Sequence, residues 1–422
     1  LLGEQSTYFY SDNSSRYWYD TQASINRLAR DRAEEYRSHP EDVYAEIVRR
    51  LKERDFTHKG DFARVVPAPA ASSDIPDVPE VELVIVHPRH HYSSQNPQSP
   101  AHSFALRTLE SRGNSPRINQ NMIVFAAADR ELLDYLMEST RHYLAWRSIV
   151  EEKDLPLLPD QIDKAHQQCR SLDGTVWLRL TQAYNTVLYP VWDEKAGRLA
   201  GLRAATLDEE GTYIPERASA KLRNLDKLRT VMGARLIRHD LEKKLSRVWE
   251  NGHVSVGRLW EYYCRYPYLS RLRNRRVLEE GVLGVLDEIT GDVEGFALAS
   301  GYDEEAGRYI ELVVPGTGDR ISQVTDSTLL VELGRAKAQR QREEQEREPA
   351  AATQPPSGGI SLLEPDDQDD VSALGSADPE PQPVRNAEFR GVYWVNPERY
   401  SRDLNRLSQD LLADRKSTRL NS

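Results

Sequence analysis

Apolar positions along the chain change rhythm several times, and each change marks an element. Over residues 20–54 they recur at helical spacing. Ile25, Leu28 and Ala29 form one stripe that Asp20 or Thr21 can cap, and Pro40 with Glu41 and Asp42 opens a second helix with acids that suit its dipole. Phe62–Val66 reads as a strand, followed by a Pro/Ala/Ser/Asp loop from Pro67 to Pro79. Two β-branched runs, Val81–Val86 (VELVIV) and Met122–Ala127, read as buried strands of a largely parallel sheet. Between them a loop rich in Ser, Pro and His leads into a helix near Ala101–Glu110. After the second run Asp129 is placed to cap a helix carrying Leu133, Leu136, Met137, Thr140 and Leu144. Strand, helix, strand, helix is the order of an α/β domain, expected to occupy residues 1–150.

Helical periodicity over 160–189 and 217–249 predicts a helical region spanning 155–250. Val254–Tyr263 and Arg273–Leu286 read as two short helices. A hairpin follows, Gly295–Ser300 and Arg308–Val314, joined across YDEEAG. Helix, helix, two-stranded wing is the order of a winged-helix domain over 251–333, and an α+β packing module gives the same string. Residues 334–348 continue as a charged helix. From 349 to 388 the chain is mostly Pro, Gly, Ser, Ala and acids, with too few aliphatics to offset the entropy of ordering, so it reads as a disordered acidic linker. A strand (Phe389–Val395) and a helix (Pro397–Leu412, with Leu404, Leu407 and Leu411 on one side) are too small to stand alone and are expected to dock back as a 389–413 unit. Residues 414–422 (DRKSTRLNS) resemble the translation of a common sequencing-library adapter and are set aside as an artefact.

Composition narrows the classes. With 422 residues, 39% hydrophobic and 29% charged, the chain reads as a soluble globular protein of two or three domains. A net charge of -11 excludes a uniformly basic nucleic-acid coat and leaves only a local basic patch. No apolar run approaches the roughly eighteen residues of a membrane span. Cys169 and Cys264, without a CxxC pair, exclude a disulfide framework and a cysteine-rich zinc module, so a reducing cytoplasm is the expected compartment. Arginine outnumbers lysine 45 to 11, as in GC-rich prokaryotic genomes. The opening Leu1-Leu2-Gly3 runs at once into Tyr8, Phe9, Tyr10, Tyr17, Trp18 and Tyr19, which reads as the middle of a domain within a longer gene product.

No Gly-Lys dipeptide occurs, so the chain holds no GxxxxGK[ST] phosphate loop, and Gly316-Thr317-Gly318 reads as a hairpin-exit turn. The strand at 81–86 ends in His87 where a magnesium-binding Walker B strand has paired acids. His87, His90, His91 and His102 lack cysteine or HExxH company and read as a solvated loop, so no metal site is assigned. Two arginine-rich segments remain. Arg16, Arg27, Arg30 and Arg32 lie in RYWYDTQASINRLARDR; their planar forks suit phosphate oxygens or a transition-state charge, or they form a solvated helix face paired to acids such as Glu34. Arg265, Arg271, Arg273, Arg275 and Arg276 are interleaved with Tyr262, Tyr263, Tyr266 and Tyr268. They could contact a nucleic-acid backbone, or pair internally with Glu261, Glu279, Glu280 and Asp287. No nucleophile, base and orienter set stands out, so catalysis carried wholly by this chain is not expected.

Three blocks carry a family resemblance: YWYDTQASINRLARDRAEE, SPRINQNMIVFAAADRELLDYLMESTRHYLAWRSIVEE and FRGVYWVNPERYSRDLNRLSQDLL. They resemble the C-terminal part of large prokaryotic ATP-binding proteins of domain-of-unknown-function family 499. Members look like AAA-type P-loop ATPases and often lie in gene clusters with DNA methyltransferases, helicases and other anti-phage or restriction functions. The resemblance implies that residues 1–150 are the distal part of a P-loop-type α/β domain, and that the P-loop, ATP and magnesium belong to sequence upstream. The resemblance itself assigns no catalytic residue; from their arginine chemistry, Arg16, Arg27 and Arg30 are taken as candidates for a sensor or arginine finger, at a site completed by that sequence or by a neighbouring subunit of a homo-oligomer. The expected fold class is thus α/β plus mostly α, and the expected partners are DNA and defence proteins such as a methyltransferase or helicase. The alternative is a non-enzymatic DNA-binding or scaffold module that uses Arg265–Arg276; a third reading is a protein-interaction platform with the acidic linker recruiting a basic partner.

Overall fold

The computed structural model describes residues 25–347, apart from 55–57, 97, 156, 194 and 322, together with two short paired strands, β1 (Phe9–Ser11) and β2 (Tyr17–Tyr19). Asp20, Thr21, Arg16, the linker, the 389–413 unit and residues 414–422 lie outside the described residues. The protein is a mixed α/β structure with a five-stranded mixed sheet and several small sheets. No helix among the described residues is long and apolar enough to cross a membrane.

The two expected N-terminal helices are α1 (Ile25–Ser38) and α2 (Pro40–Arg54). After them come β3 (Arg64–Pro67), β4 (Glu82–Ile85), α3 (Pro100–Glu110), a small hairpin of β5 (Ser111–Arg112) and β6 (Ser115–Pro116), β7 (Ile123–Ala127) and α4 (Arg130–Glu151). β3, β4 and β7 run parallel. β4 and β7 are buried on both faces, which is why they read as unbroken runs. Val84, Val86, Phe125 and Ala127 pack with Phe104, Ala105 and Leu109 of α3. Leu83, Ile85, Val124 and Ala126 join Val43, Ile47 and Leu51 of α2 and Leu133 and Leu136 of α4 in the main core. Asp129 caps α4, accepting from the amides of Glu131 at 3.0 Å and Leu132 at 3.2 Å.

The sheet does not end at residue 150. After α5 (Pro159–Ala183), β8 (Thr186–Asp193) pairs antiparallel with β7, and β9 (Arg198–Thr206) pairs antiparallel with β8, giving the order β3-β4-β7-β8-β9. The stretch expected to be mostly helical therefore contributes two strands to the sheet. Pro190 hides the first of them: it lies beyond the three residues that pair with β7, next to a register shift at Val191/Trp192, where a strand tolerates a missing amide donor.

A buried cation ties three helices together beneath this sheet. Arg50 of α2 is fully buried, 2.8 Å from Glu46 and 2.6 Å from Asp173 of α5, with its guanidinium 4.5 Å above the Tyr143 ring of α4. Glu46 also receives Arg49 and Arg147 at 2.9 and 3.0 Å. Burial alone would raise its carboxyl; hydrogen bonds from Arg49 and Arg50 override that and hold it at about 2.

The remaining elements are α6 (Ile214–Asn224), β10 (Leu228–Arg229), α7 (Ala234–Lys243), α8 (Ser246–Trp249), β11 (His253–Ser255), α9 (Val256–Arg265), β12 (Arg271–Leu272), α10 (Arg275–Leu283), α11 (Gly291–Glu294), β13 (Ala297–Ala299), β14 (Gly301–Asp303), β15 (Arg308–Ile310), β16 (Leu329–Val331) and α12 (Leu333–Arg347). β16 lies between β11 and β13 in a three-stranded antiparallel sheet. The hairpin expected across YDEEAG is present as β14 and β15, with Leu298 bridged to Val313 beyond it. Gln339 of α12 completes the edge of that hairpin: its side chain accepts from the Tyr309 amide at 2.7 Å and donates to the Tyr309 carbonyl at 2.8 Å.

Glu82, at the start of β4, is buried, and its Oε1 receives no hydrogen bond; the nearest cation, Arg64, is 3.5 Å away. Burial pushes the carboxyl up to about 7, with Arg64 and Arg117 opposing. A carboxyl raised in the folded state favours the fold fully below its unfolded value of 4.5, and that stability drains as pH rises through about 7. The full shift corresponds to roughly 3 kcal/mol. Glu82→Gln is therefore expected to be more stable than the parent in urea unfolding at pH 8, with the gap closing toward pH 4. A gap independent of pH would contradict this account.

Candidate nucleic-acid interface

Most of the basic and aromatic patch lies on α9 and the turn leading to α10. Ser255 caps α9, its hydroxyl accepting from the Arg258 amide at 3.3 Å. The helix buries Leu259, Trp260, Tyr263 and Cys264, leaving Arg258, Glu261, Tyr262 and Arg265 on its outer side. The Tyr263 hydroxyl donates to Asp240 of α7 at 2.9 Å, fixing one helix to the other. Burial, with Asp240 beside it, raises the Tyr263 phenol well above its usual range. Asn274 caps α10, and Gly281 lets that helix pack closely, since a Cβ there would collide with the Met232 carbonyl.

The five arginines of the patch do not act together. Arg271 is buried and faces inward, donating to the Asn121 carbonyl, to Asn121 Oδ1 at 3.2 Å and to the Lys227 carbonyl at 2.9 Å. Burial lowers its guanidinium to about 9, still a cation at neutral pH. It presents no donor to an external ligand. Arg273 lies 3.8 Å from Asp61. Arg275 pairs with Glu279 at 2.8 Å and with Asp326, and the exposed Arg276 pairs with Glu280 at 2.7 Å. Internal pairing with Glu279 and Glu280 thus occurs as the sequence allowed, whereas Asp287 takes Arg320. Arg265 stands over the Tyr266 ring, 5.6 Å from its centre.

The tyrosines form a ladder. Tyr262 stacks on Tyr266 with centroids 5.5 Å apart, and Tyr266 stacks on Tyr268 at 5.2 Å. Trp192, from β8, meets Tyr266 and Tyr268 edge-on at 5.7 and 5.4 Å. All four are half-buried. Beside Tyr262 opens a cavity of about 420 Å³ lined by Arg247, Asn251, His253, Ser255 and Arg258, with no carboxylate in its wall. Trp192, Arg247 and Arg258 escaped sequence reasoning because they lie outside the dense run at 262–276; reading 186–193 as a strand would have drawn attention to Trp192.

The other candidates are elsewhere. Arg27 and Arg30 lie on the exposed side of α1, with Arg27 3.1 Å from Asp31. Ile25 and Ala29 seat α1 against Trp146 and Ile149, at the C-terminal end of α4. That end is about 30 Å, at 1.5 Å per residue, from the Asp129 cap. The Asp129 end of α4 is the end next to the carboxyl ends of β3, β4 and β7, where parallel sheets bind ligands, so Arg27 and Arg30 lie far from it. At that edge the His87 ring accepts from the Arg89 amide at 3.2 Å, and His90 stacks on Phe104 at 5.0 Å. Burial lowers both histidines, leaving neutral rings. Among the described residues no group of three or more His, Cys, Asp or Glu is placed to hold a metal.

No family model, curated protein or solved structure matches this chain. Arg271 and Arg276 differ only in what surrounds them, so they make a direct comparison. Arg271→Leu orphans the carbonyls it serves and is expected to lower unfolding stability by about 3–5 kcal/mol. Arg276→Ala removes an exposed pair and is expected to change it by less than about 1 kcal/mol. Equal losses in urea titrations would show that Arg271 is not the internal tie described above.

Proposed function

We propose that this chain is the DNA-engaging, C-terminal portion of an AAA-type P-loop ATPase of a prokaryotic DNA-modification or phage-defence system, and that α7 through β16 form a winged-helix unit. The observation that carries the reading is the order α7, β11, α9, α10, β13, β16, with the last strand central in its sheet. Helix, strand, helix, helix, strand, strand is the winged-helix order, and β14–β15 occupies the wing. In a helix-turn-helix pair the second helix enters the major groove with its N-terminal residues on the bases, which here are Arg275 and Arg276 of α10. Their pairing with Glu279, Glu280 and Asp326 is a reserve that phosphate oxygens compete for, since exposed pairs are held weakly.

The ATPase half of the proposal rests on the family resemblance, with parallel β3, β4 and β7 flanked by helices on both faces as a compatible setting. ATP and magnesium would bind chiefly to residues outside this chain. In that setting Arg27 and Arg30, with Arg16, would serve a neighbouring subunit's nucleotide, because α1 lies far from the ligand-binding edge of its own sheet. The second reading, a non-enzymatic DNA-binding or scaffold module, is favoured by the lack of a phosphate loop in these 422 residues.

Duplex binding by the full chain, followed by fluorescence anisotropy across a salt series, tests the first half. The expected result is strongly salt-dependent affinity, with a log–log slope that falls by about 1 in Arg276→Ala. A duplex that does not bind at low salt would remove the winged-helix reading. For the second half, Arg27→Ala and Arg30→Ala in the full-length protein are expected to lower ATP turnover more than ATP binding. Turnover unchanged in both would remove the finger role.

A further inference from the structure

We infer that the outer face of α9, with the turn that follows it, is a track for single-stranded nucleic acid: the cavity at Arg247 and Arg258 takes a backbone phosphate, and the ladder from Tyr262 to Trp192 takes unpaired bases. The inference rests on the nucleic-acid reading above and names the form of nucleic acid that this face receives.

The cavity supplies the first half of the argument. Two arginines, Asn251 and Ser255 converge on it, and its wall contains no carboxylate. Arg273, Arg275 and Arg276 of the patch carry acids that a phosphate must first displace, Asp61 for the first, Glu279 and Asp326 for the second and Glu280 for the third, whereas the cavity wall has none. In a chain whose net charge is -11, an acid-free pocket with two exposed guanidinium groups is a place for an anion, and the cavity is large enough for a phosphodiester.

The ladder supplies the second half, and Tyr262 belongs to both, since it lines the cavity and begins the stack. Arg258 lies 6.0 Å from the Tyr262 centroid and Arg265 lies 5.6 Å from that of Tyr266, so cations flank the rings along their length. Aromatic rings bordered by arginine are surfaces on which unpaired bases stack without sequence preference; here the rings cover part of one another and of the core, so the half-exposed outer parts of the ladder are what a base meets. A duplex cannot use such a track, because its bases are already stacked on one another. The ladder ends at Tyr268, a short turn before Arg273–Arg276 and the start of α10, so the single-strand track adjoins the duplex contact. A duplex with a single-stranded tail engages both.

The test uses the full chain with a fluorescein-labelled dT oligonucleotide, a blunt duplex, and the duplex carrying a dT tail. Tyr266→Ala is expected to weaken dT binding roughly 5- to 100-fold, the range for losing one base stack, while leaving the blunt duplex unchanged. Arg258→Ala, on an exposed position, is expected to lower the salt slope for dT by about 0.7, the single-strand value for one phosphate. Trp192→Phe is expected to remove the dT-induced quench of tryptophan emission. Unchanged dT affinity in both Tyr266→Ala and Arg258→Ala overturns the track while the duplex reading stands. Failure of every oligonucleotide to bind the parent chain overturns the nucleic-acid reading itself, and the track with it. Should Tyr266→Ala melt early, Arg258→Ala and Arg247→Ala decide alone: retained dT affinity in both overturns the phosphate site.

Discussion

One guanidinium, withdrawn from water, joins the sheet to everything that follows it. Arg271 reaches back 150 residues to Asn121, at the foot of β7, and sideways to the Lys227 carbonyl beside β10. Asn121 returns the bond, donating to the carbonyls of Tyr263 at 2.9 Å and Leu269 at 3.3 Å. Removing a cation from water is expensive, and the cost is met only because each contact is a carbonyl oxygen or the Asn121 amide. The geometry is demanding, so it fixes a single way for α9 and α10 to sit beside β7. Arg50 is a second buried arginine, held by the carboxylates of Glu46 and Asp173 instead, and it sets α2 against α4 and α5. Hydrophobic area supplies most of the stability of such a structure; these polar joints choose which arrangement of it is adopted.

That choice determines which surfaces remain for ligands. With Arg271 committed inward, the patch reduces to Arg265, Arg273, Arg275 and Arg276, and the last three already hold acids. Arg247 and Arg258, at the cavity beside Tyr262, are cations with no carboxylate in the wall around them. β8 matters here as well as to the sheet, because its far end extends past β7 and brings Trp192 against Tyr266 and Tyr268. Sheet and patch are thus joined at two places, one polar and one aromatic.

Legibility followed physical setting. β4 and β7 were readable because strands buried on both faces must be apolar throughout, and the Asp129 cap because a carboxylate before a periodic stripe has few other uses. The helices α9 and α10 and the hairpin across YDEEAG were readable as elements. β11 and β16 were not, being three residues each, too short to carry a period. β8 was lost to Pro190 and to the helical rhythm of α5 just before it. Arg271 could not be told from its neighbours, since a sequence displays charge and not exposure, and the ladder needed a partner some seventy positions away. The histidines were read as a solvated loop from spacing, composition and the lack of cysteine or HExxH; two of those rings, His87 and His90, instead sit half-buried against Tyr44 and Phe104.

Gln339 bears on a different property, how the molecule behaves among its copies. The outer strand of a two-stranded hairpin offers unpaired amides and carbonyls to any passing strand, and β15 has such an edge. By bonding both the amide and the carbonyl of Tyr309, the Gln339 carboxamide occupies the position an added strand would take, and α12 lies over it. The hairpin is thereby closed to edge-to-edge aggregation at β15, so no neighbour's strand is recruited there into a growing sheet.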